Sequence, residues 1–398
     1  MPTAPLRPNR PVYLDNQATT RCDPRVVEAM LPWFSEHYGN PHSVEHVMGS
    51  EAEGAVEDAR TQVAALIGAD SKELVFTSGA TESNNIAIKG AARFAGPSER
   101  RRIVTVATEH KCVLESVADL AAEGFEPVFL QVRPDGLLDP DTLRAALGTP
   151  TLLVSVMAVN NETGVIQDIP ALAAITKQAG ALFHTDLAQA VGKIPLDLTA
   201  WKVDLASISG HKIYGPKGVG ALYVRRRPRV RLTPLFSGGG QERGIRSGTL
   251  PAPLIVGLGE ACRLAAAEMA GETSRLVGLR RRLMERLTED IPGLIVNGSM
   301  DARIAGNLNL TFPFATAAEL MERIPDLCVS TGSACSSAAI EPSHVLRALG
   351  LSDEAAARTL RIGIGRFTST ADIDYAATAL AAAHAGAPAP GIEHLAKA

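Results

Sequence analysis

The chain is poor in cysteine, poor in aromatics and without a basic surplus, and each shortage removes a class of protein. Its five cysteines, Cys22, Cys112, Cys262, Cys328 and Cys335, are odd in number and widely spread over 398 residues, with no close C-x-x-C pair. That excludes a disulfide scaffold and a zinc-ribbon spacing, and it suits a reducing compartment. Aromatic residues make up 4%, too few for a surface that stacks nucleic-acid bases. Lys and Arg total 39 against 43 Asp and Glu, a formal charge of −4, where binding a phosphate backbone calls for a net basic footprint. The one dense basic run, Arg225, Arg226, Arg227, Arg229 and Arg231 around Pro228, reads as a solvated strand end and turn. Long apolar runs are missing too: the best candidate, residues 145–161, is interrupted by Gly148 and Pro150. Residues 1–10 carry prolines and arginines but not the apolar core of a secretory leader. A cytoplasmic protein with no nucleic-acid and no membrane partner is expected.

What is present is ordinary for a soluble enzyme: 46% hydrophobic and 21% charged residues. The length allows a large catalytic domain with a smaller companion. Strand-like runs at Leu74–Thr77, Ile103–Ala107, Leu152–Val159, Ala181–Thr185, Leu205–Ser209 and Val219–Val224 alternate with helical stretches. Alternation at this pitch implies βα units, hence an α/β fold with a mainly parallel sheet covered on both faces. Ser50 and Glu53 have capping-box spacing for a helix that Gly68 ends. From Cys262 to Asp290 a long charged helix carries one apolar stripe of Leu276, Leu279, Leu283 and Leu287. The domain change is placed there, giving a large domain over 14–262 and a small α+β domain over 263–398 that also takes the N-terminal arm 1–13.

The chemistry starts at Lys212, set between small, turn-forming residues in Ser209-Gly210-His211-Lys212-Ile213-Tyr214-Gly215 just after an apolar strand. A lysine amine forms a Schiff base with an aldehyde only when partly deprotonated, which a crowded, partly desolvated pocket promotes. Ser209 and His211 beside it can hydrogen-bond a phosphate. A solvated basic turn would look the same in isolation, and Asp186 decides between them. It ends the buried run Ala181–Asp186, where a strand's C-terminal end points an acid into a ligand crevice. Pyridoxal phosphate enzymes pair a Schiff-base lysine with an acid against the pyridinium nitrogen. Upstream, Leu74–Thr77 runs through Ser78-Gly79-Ala80-Thr81 into a helix, which aims unpaired N–H groups and a positive dipole end at an anion.

With these residues in view the chain resembles the cysteine desulfurases of the IscS/NifS type, within the class-V aminotransferase group of fold-type-I pyridoxal phosphate enzymes. The resemblance is carried by Y-L-D-N-Q-A-T-T at 13–20, T-S-G-A-T-E-S-N-N at 77–85, T-E-H-K at 108–111 and V-N-N-E-T-G at 159–164, continuing with H-T-D-L-A-Q at 184–189, S-G-H-K-I-Y-G-P-K-G at 209–218, G-G-G-Q-E-R-G-I-R-S-G-T at 238–249 and S-T-G-S-A-C-S-S at 330–337. Eight blocks in family order from Tyr13 to about Arg366 are far more specific than any one of them.

The resemblance implies a pyridoxal 5'-phosphate enzyme that converts L-cysteine to L-alanine and passes the sulfur to a cysteine of its own. In that reading Lys212 holds the cofactor and then moves the Cα proton, Asp186 holds the ring nitrogen, and Gln189 bonds the phenolic oxygen. His110 stacks on the ring and shuttles a proton. Ala80, Thr81, Ser209 and His211 take the phosphate, with Thr249 reaching it from the second subunit of a homodimer. Asn161 and Arg361 hold the substrate, Arg361 through a guanidinium fork on its carboxylate. Cys335, in a run of small residues, is the thiolate that accepts sulfur as a persulfide. No resident metal is implied, though Cys335 is a candidate transient cluster ligand. A sulfur acceptor such as an iron–sulfur scaffold protein is the implied partner.

One departure stands out. The family pattern R-F-S-L-G-R reads Arg361-Ile362-Gly363-Ile364-Gly365-Arg366 here, so the support of Arg361 is open. Cys328 reads as buried and Cys112 as a packing residue. A selenocysteine lyase or an aminotransferase would keep Lys212 and Asp186, and the cysteine loop is what discriminates. A sulfur-relay scaffold with secondary catalysis would lack the cofactor.

Overall fold

A computed structural model describes residues 11–331 and 343–387. Seven strands form the main sheet in the order Leu74–Thr77, Gly220–Val224, Leu205–Ser209, Leu182–Asp186, Thr151–Ser155, Arg102–Val106 and Glu126–Leu130. All run the same way except Gly220–Val224, which is antiparallel to both neighbours. Successive strand side chains point to opposite faces. Leu74 and Phe76 therefore enter one core while Val75 enters another, and Val104 and Ile103 divide the same way. Both faces are covered by helices, which is why these strands read as continuous apolar runs rather than alternating ones.

Glu126–Leu130 was not among the expected strands. It is the sheet's edge, half exposed, and contains Pro127, a residue tolerated in sheets mainly at edges. Helix starts also differ. The helix expected to begin at the Ser50 capping box already starts at Val47, capped by His46 Nδ1 accepting from Gly49 N at 3.1 Å. Ser50 is inside it and donates its hydroxyl to Val44 O instead.

The long charged helix spans Ala252–Asp290, ten residues more at its start than expected, and at 1.5 Å per residue it is about 58 Å long. Its first third, up to Leu264, packs on the sheet with the helix Val47–Leu66, and its Leu276, Leu279, Leu283 and Leu287 stripe packs in a second core. That core is built on the antiparallel sheet Thr359–Gly363, Asn307–Thr311 and Ile295–Val296. Val12 and Leu14 also pack there, the strand Val12–Tyr13 pairing in parallel with Leu327–Cys328. The stretch after this strand crosses to the main sheet, where Thr20 N donates to His211 O. Among the described residues no helix is long and apolar enough to cross a membrane.

Candidate active site

At the C-terminal ends of the parallel strands lies a cavity of about 470 Å³, closed on its far side by the small lobe through Arg361. Its walls bring together Ala80, Thr81, His110, Asn161, Asp186, Gln189, Ser209, His211, Lys212 and Arg361, residues spread over 282 positions of sequence. Thr249 is exposed at the end of the glycine-rich loop and does not line this cavity on its own chain. Cys335 lies outside the described residues.

The turn after Leu74–Thr77 places Gly79 at φ 150° as the N-cap of the helix Ala80–Ala95, with no side chain capping it. A side chain there would be strained, and the first N–H groups of a sixteen-residue helix are left facing the cavity. Glu82 in the first turn also lines the cavity, with its carboxylate engaged: it accepts from Ser78 N at 2.5 Å and Arg246 Nε at 3.0 Å. Across the cavity, Leu205–Ser209 ends in a 3₁₀ turn, Gly210–Lys212, that delivers Ser209, His211 and Lys212 together. His211 Nδ1 lies 3.1 Å from Thr19 Oγ1. Burial, with Lys212 nearby, pulls its pKa down to about 4, so the ring is neutral at pH 7 and acts as a hydrogen-bonding group.

Lys212 Nζ donates to the main-chain carbonyls of Gln17 at 2.6 Å and Ala18 at 2.7 Å. Asp186 ends its strand almost fully buried, with Oδ2 accepting from Asn84 Nδ2 and Oδ1 from Ala188 N, both at 2.8 Å. His110 caps the helix Lys111–Asp119, its Nδ1 accepting from Cys112 N at 3.3 Å. Because a backbone N–H only donates, the proton of the neutral ring sits on Nε2. Burial lowers the His110 pKa, opposed by Asp186 and reinforced by Lys212.

Cys112, expected to be a packing residue, is a wall of the cavity. Its Sγ is 3.0 Å from His110 Nδ1 and 3.2 Å from Asn84 Nδ2. Burial, then the neighbouring Asp186, pushes the thiol up to about 12, which makes it a hydrogen-bond donor and a poor nucleophile. Cys328 is partly rather than fully buried. Glu109, also not singled out from sequence, is fully buried behind the site with Oε1 accepting from Met157 N at 2.5 Å. Burial, then Asp186, raises it well above the usual carboxylate range.

On the small-lobe side Arg361 is 3% exposed and already engaged. Nη1 donates to Asn161 O at 3.0 Å and Nη2 to Asp15 Oδ1 at 2.7 Å, while Ser330 Oγ donates to the same Asp15 oxygen. Among the described residues, two buried polar atoms here lack a partner, Arg361 Nε and Asn161 Oδ1. A buried donor and acceptor left unpaired beside a cavity fit a polar ligand that completes them. Among the described residues no group of three His, Cys, Asp or Glu is arranged to hold a metal ion.

Comparison with known proteins places this arrangement. Residues 12–376 match the model of the class-V aminotransferase family. The chain belongs to that family. Among curated relatives of this class-V chain, the cysteine desulfurase IscS of Rickettsia felis is 54% identical over 369 residues, 93% of this chain and 90% of its own. That of Rickettsia bellii is 54% identical over 366 residues, 92% and 89%. A solved NifS-like protein superposes with a TM-score of 0.87 at 36% identity, covering 93% of this chain and 98% of its own. SspA in complex with cysteine superposes with a TM-score of 0.79 at 37% identity, over 90% and 99%. The fold is thus that of the fold-type-I enzymes, a mainly parallel sheet flanked by helices with a smaller lobe.

Several residues at the site fall inside the matching blocks at 13–20 and 77–85 but were given no role from sequence. Gln17 acts through its main-chain carbonyl, so its side chain gives no signal. Asp15 is paired with a residue 346 positions away. Asn84 sits one turn into the phosphate-side helix, where helical spacing from Ala80 puts it on the cavity face and was the signal available.

Proposed function

We propose that this protein is a cysteine desulfurase that uses pyridoxal 5'-phosphate. It takes L-cysteine to L-alanine: the Cβ–S bond breaks, the sulfur leaves on an enzyme thiol as a persulfide, and the thiol proton stays with the products, so cysteine plus enzyme-SH gives alanine plus enzyme-SSH. The observation that carries this is the convergence on one cavity of Lys212, Asp186, Gln189, His110 and Arg361 with an uncapped helix N-terminus. A lysine opposite a buried carboxyl, an N–H cradle and two unpaired buried polar atoms fit a phosphorylated pyridine aldehyde and an amino acid.

When bound, that cofactor supplies an electron sink for carbanion chemistry at Cα. The N–H groups of Ala80 and Thr81, with Ser209 and His211, would hold its phosphate. Asp186 would face its ring nitrogen and Gln189 its phenolic oxygen, with His110 over the ring face. Lys212 Nζ would hold the aldehyde and afterwards take the substrate's Cα proton, and His110 Nε2 would move a second proton. Arg361 and Asn161 would fix the substrate carboxylate. Cys335 would receive the sulfur and is also the residue by which a cluster could be transiently held.

The same proposal includes a homodimer in which Thr249 of a second copy reaches the phosphate. Its support is a set of large apolar side chains on the first helices, Leu31, Phe34, Tyr38 and Val47, each more than half exposed, exposure of the kind an interface covers. It also includes the division into lobes over 14–262 and 263–398, a cytoplasmic location and a sulfur acceptor such as an iron–sulfur scaffold protein.

The test is alanine release from L-cysteine by the pure protein. Lys212→Ala should abolish both activity and the cofactor's visible absorbance, and Cys335→Ala should abolish activity while keeping the absorbance. Full alanine release by Cys335→Ala would remove that residue from the reaction.

A further inference from the structure

Lys193 lies close to the site and, like Lys217 on the cavity wall, has no part in the reaction above. A tight turn, Ala190 N to Leu187 O and Lys193 N to Ala190 O, brings it beneath Gln189. Its Nζ lies 2.7 Å from Gln189 Oε1. It does not line the main cavity but a separate internal space of about 30 Å³ behind it, with Gln17, Tyr214 and Glu272. Gln189 itself is 2% exposed and its Nε2 donates to Gln17 O at 2.8 Å.

The two partners of this amide set its orientation while Lys193 is protonated. An ammonium has donors and no acceptor, and a main-chain carbonyl accepts only. Gln189 therefore has its oxygen on Lys193 and its NH₂ on Gln17. Flipping it would set NH₂ against ammonium and carbonyl against carbonyl, and leave both partners unpaired in a buried setting. One amide hydrogen is used by Gln17, and the second remains for the cavity that Gln189 lines.

We propose that Lys193 is a positioning residue that locks the Gln189 amide so that its NH₂, not its carbonyl, meets the phenolic oxygen of the bound cofactor. This rests on the cofactor placement proposed above. The arrangement is expensive as pure structure, since an enclosed ammonium has a neutral amide as its hydrogen-bond partner and the Glu272 carboxylate only as a nearby charge. Consistent with that cost, burial together with the charge of Lys212 pulls the Lys193 pKa down to about 7. The amine keeps N–H donors in either protonation state, so it can still donate to Gln189 Oε1 after deprotonation.

The experiment compares Lys193→Met, Gln189→Ala and the double variant of the full-length protein by pyridoxal phosphate dissociation constant and by the pH titration of the bound cofactor's visible absorbance. Met fills the same length without a donor and removes a buried charge, so the fold is not at risk, and Tm is expected to hold or rise. Each single variant should weaken cofactor binding about tenfold, the loss of one buried hydrogen bond, and move the absorbance titration in the same direction. The double variant should do no more than Gln189→Ala, and Lys193→Arg should restore most of the binding. Additive effects in the double variant, or a Lys193→Met titration matching wild type while Gln189→Ala shifts, would overturn the proposal. If Gln189→Ala moves neither readout, the cofactor placement fails and this inference with it.

Discussion

On the sheet side of the cavity burial pushes several ionisable groups toward their neutral forms, whereas on the small-lobe side the buried groups are held in ion pairs. His184, between Ser155 Oγ at 2.8 Å and Ser207 Oγ at 3.0 Å, is held down to about 3 by burial alone. Glu109 is pushed up, and His211 and Cys112 are kept uncharged. Opposite them, Arg361 pairs with Asp15, and Arg366 with Asp23 and Glu272, both at 2.9 Å. A dry wall with few charges is a fixed bed in which one carboxyl has a large effect, because low dielectric strengthens every interaction with it. A wall of ion pairs can exchange one carboxylate for another. The first suits a resident group and the second a substrate that comes and goes.

Asp186→Asn gives the sharpest break in the comparison. It keeps the shape and the bonds from Asn84 and Ala188 within reach but removes the acid from the dry wall. Alanine release should fall about 10³-fold, read as kcat with KM for cysteine little changed. A fall below tenfold would mean that Asp186 only caps the turn after its strand.

The neutral wall also predicts a pH signature. A histidine with an unfolded pKa of 6.5 and a folded value near 3 contributes stability that is full above 6.5 and lost as pH falls toward 3. Between pH 6.5 and 4 that amounts to about 3 kcal/mol. Glu109, raised in the fold, acts with the opposite sign and is penalised as pH rises. Chemical denaturation of His184→Gln should show a flatter acid limb than wild type, and equal slopes would place the acid sensitivity elsewhere.

On the ion-pair wall, Arg361→Lys keeps the charge but cannot bridge Asn161 O, Asp15 and a carboxylate at once. KM for cysteine should rise about 10²-fold, the cost of breaking one partner of a desolvated pair, with a smaller change in kcat. Equal losses in both would assign the guanidinium to the transition state instead.

How far the sequence carried this comparison differs between the walls. The sheet side was legible because its residues sit at strand ends inside local motifs, where a run of buried residues followed by a turn states both position and direction. The small-lobe side was not, because its contacts join residues far apart. Gly363 illustrates this. From sequence it is a missing serine beside Arg361. In the fold, Gly363 N donates to Leu14 O, Asn16 Nδ2 donates to Gly363 O at 2.7 Å, and a Cβ at 363 would lie 2.0 Å from Gln17 Oε1 and 2.7 Å from Asn16 N. The glycine makes room for Gln17, whose carbonyl holds Lys212 and Gln189. Gly363→Ser should cost about 2 kcal/mol by overpacking, and Gln17→Ala in the same chain should recover part of it. A Gly363→Ser variant as stable as wild type would show that the segment at 14–17 yields freely.

The smallest effect tests whether the ion-pair wall truly exchanges partners. Asp15 and an incoming carboxylate compete for the same guanidinium, and Asp15 Oδ1 takes bonds from both Arg361 Nη2 and Ser330 Oγ. Asp15→Asn leaves an oxygen in place for both donors while removing the competing charge. If the pair is a resting contact that substrate displaces, KM for cysteine should fall roughly threefold to fivefold, under ~1 kcal/mol of binding, at some loss in Tm because Arg361 stays buried without its counter-ion. If instead Asp15 aims the fork and remains bonded with substrate present, KM should rise. The sign of that change separates a wall that trades carboxylates from one that merely holds its arginine still.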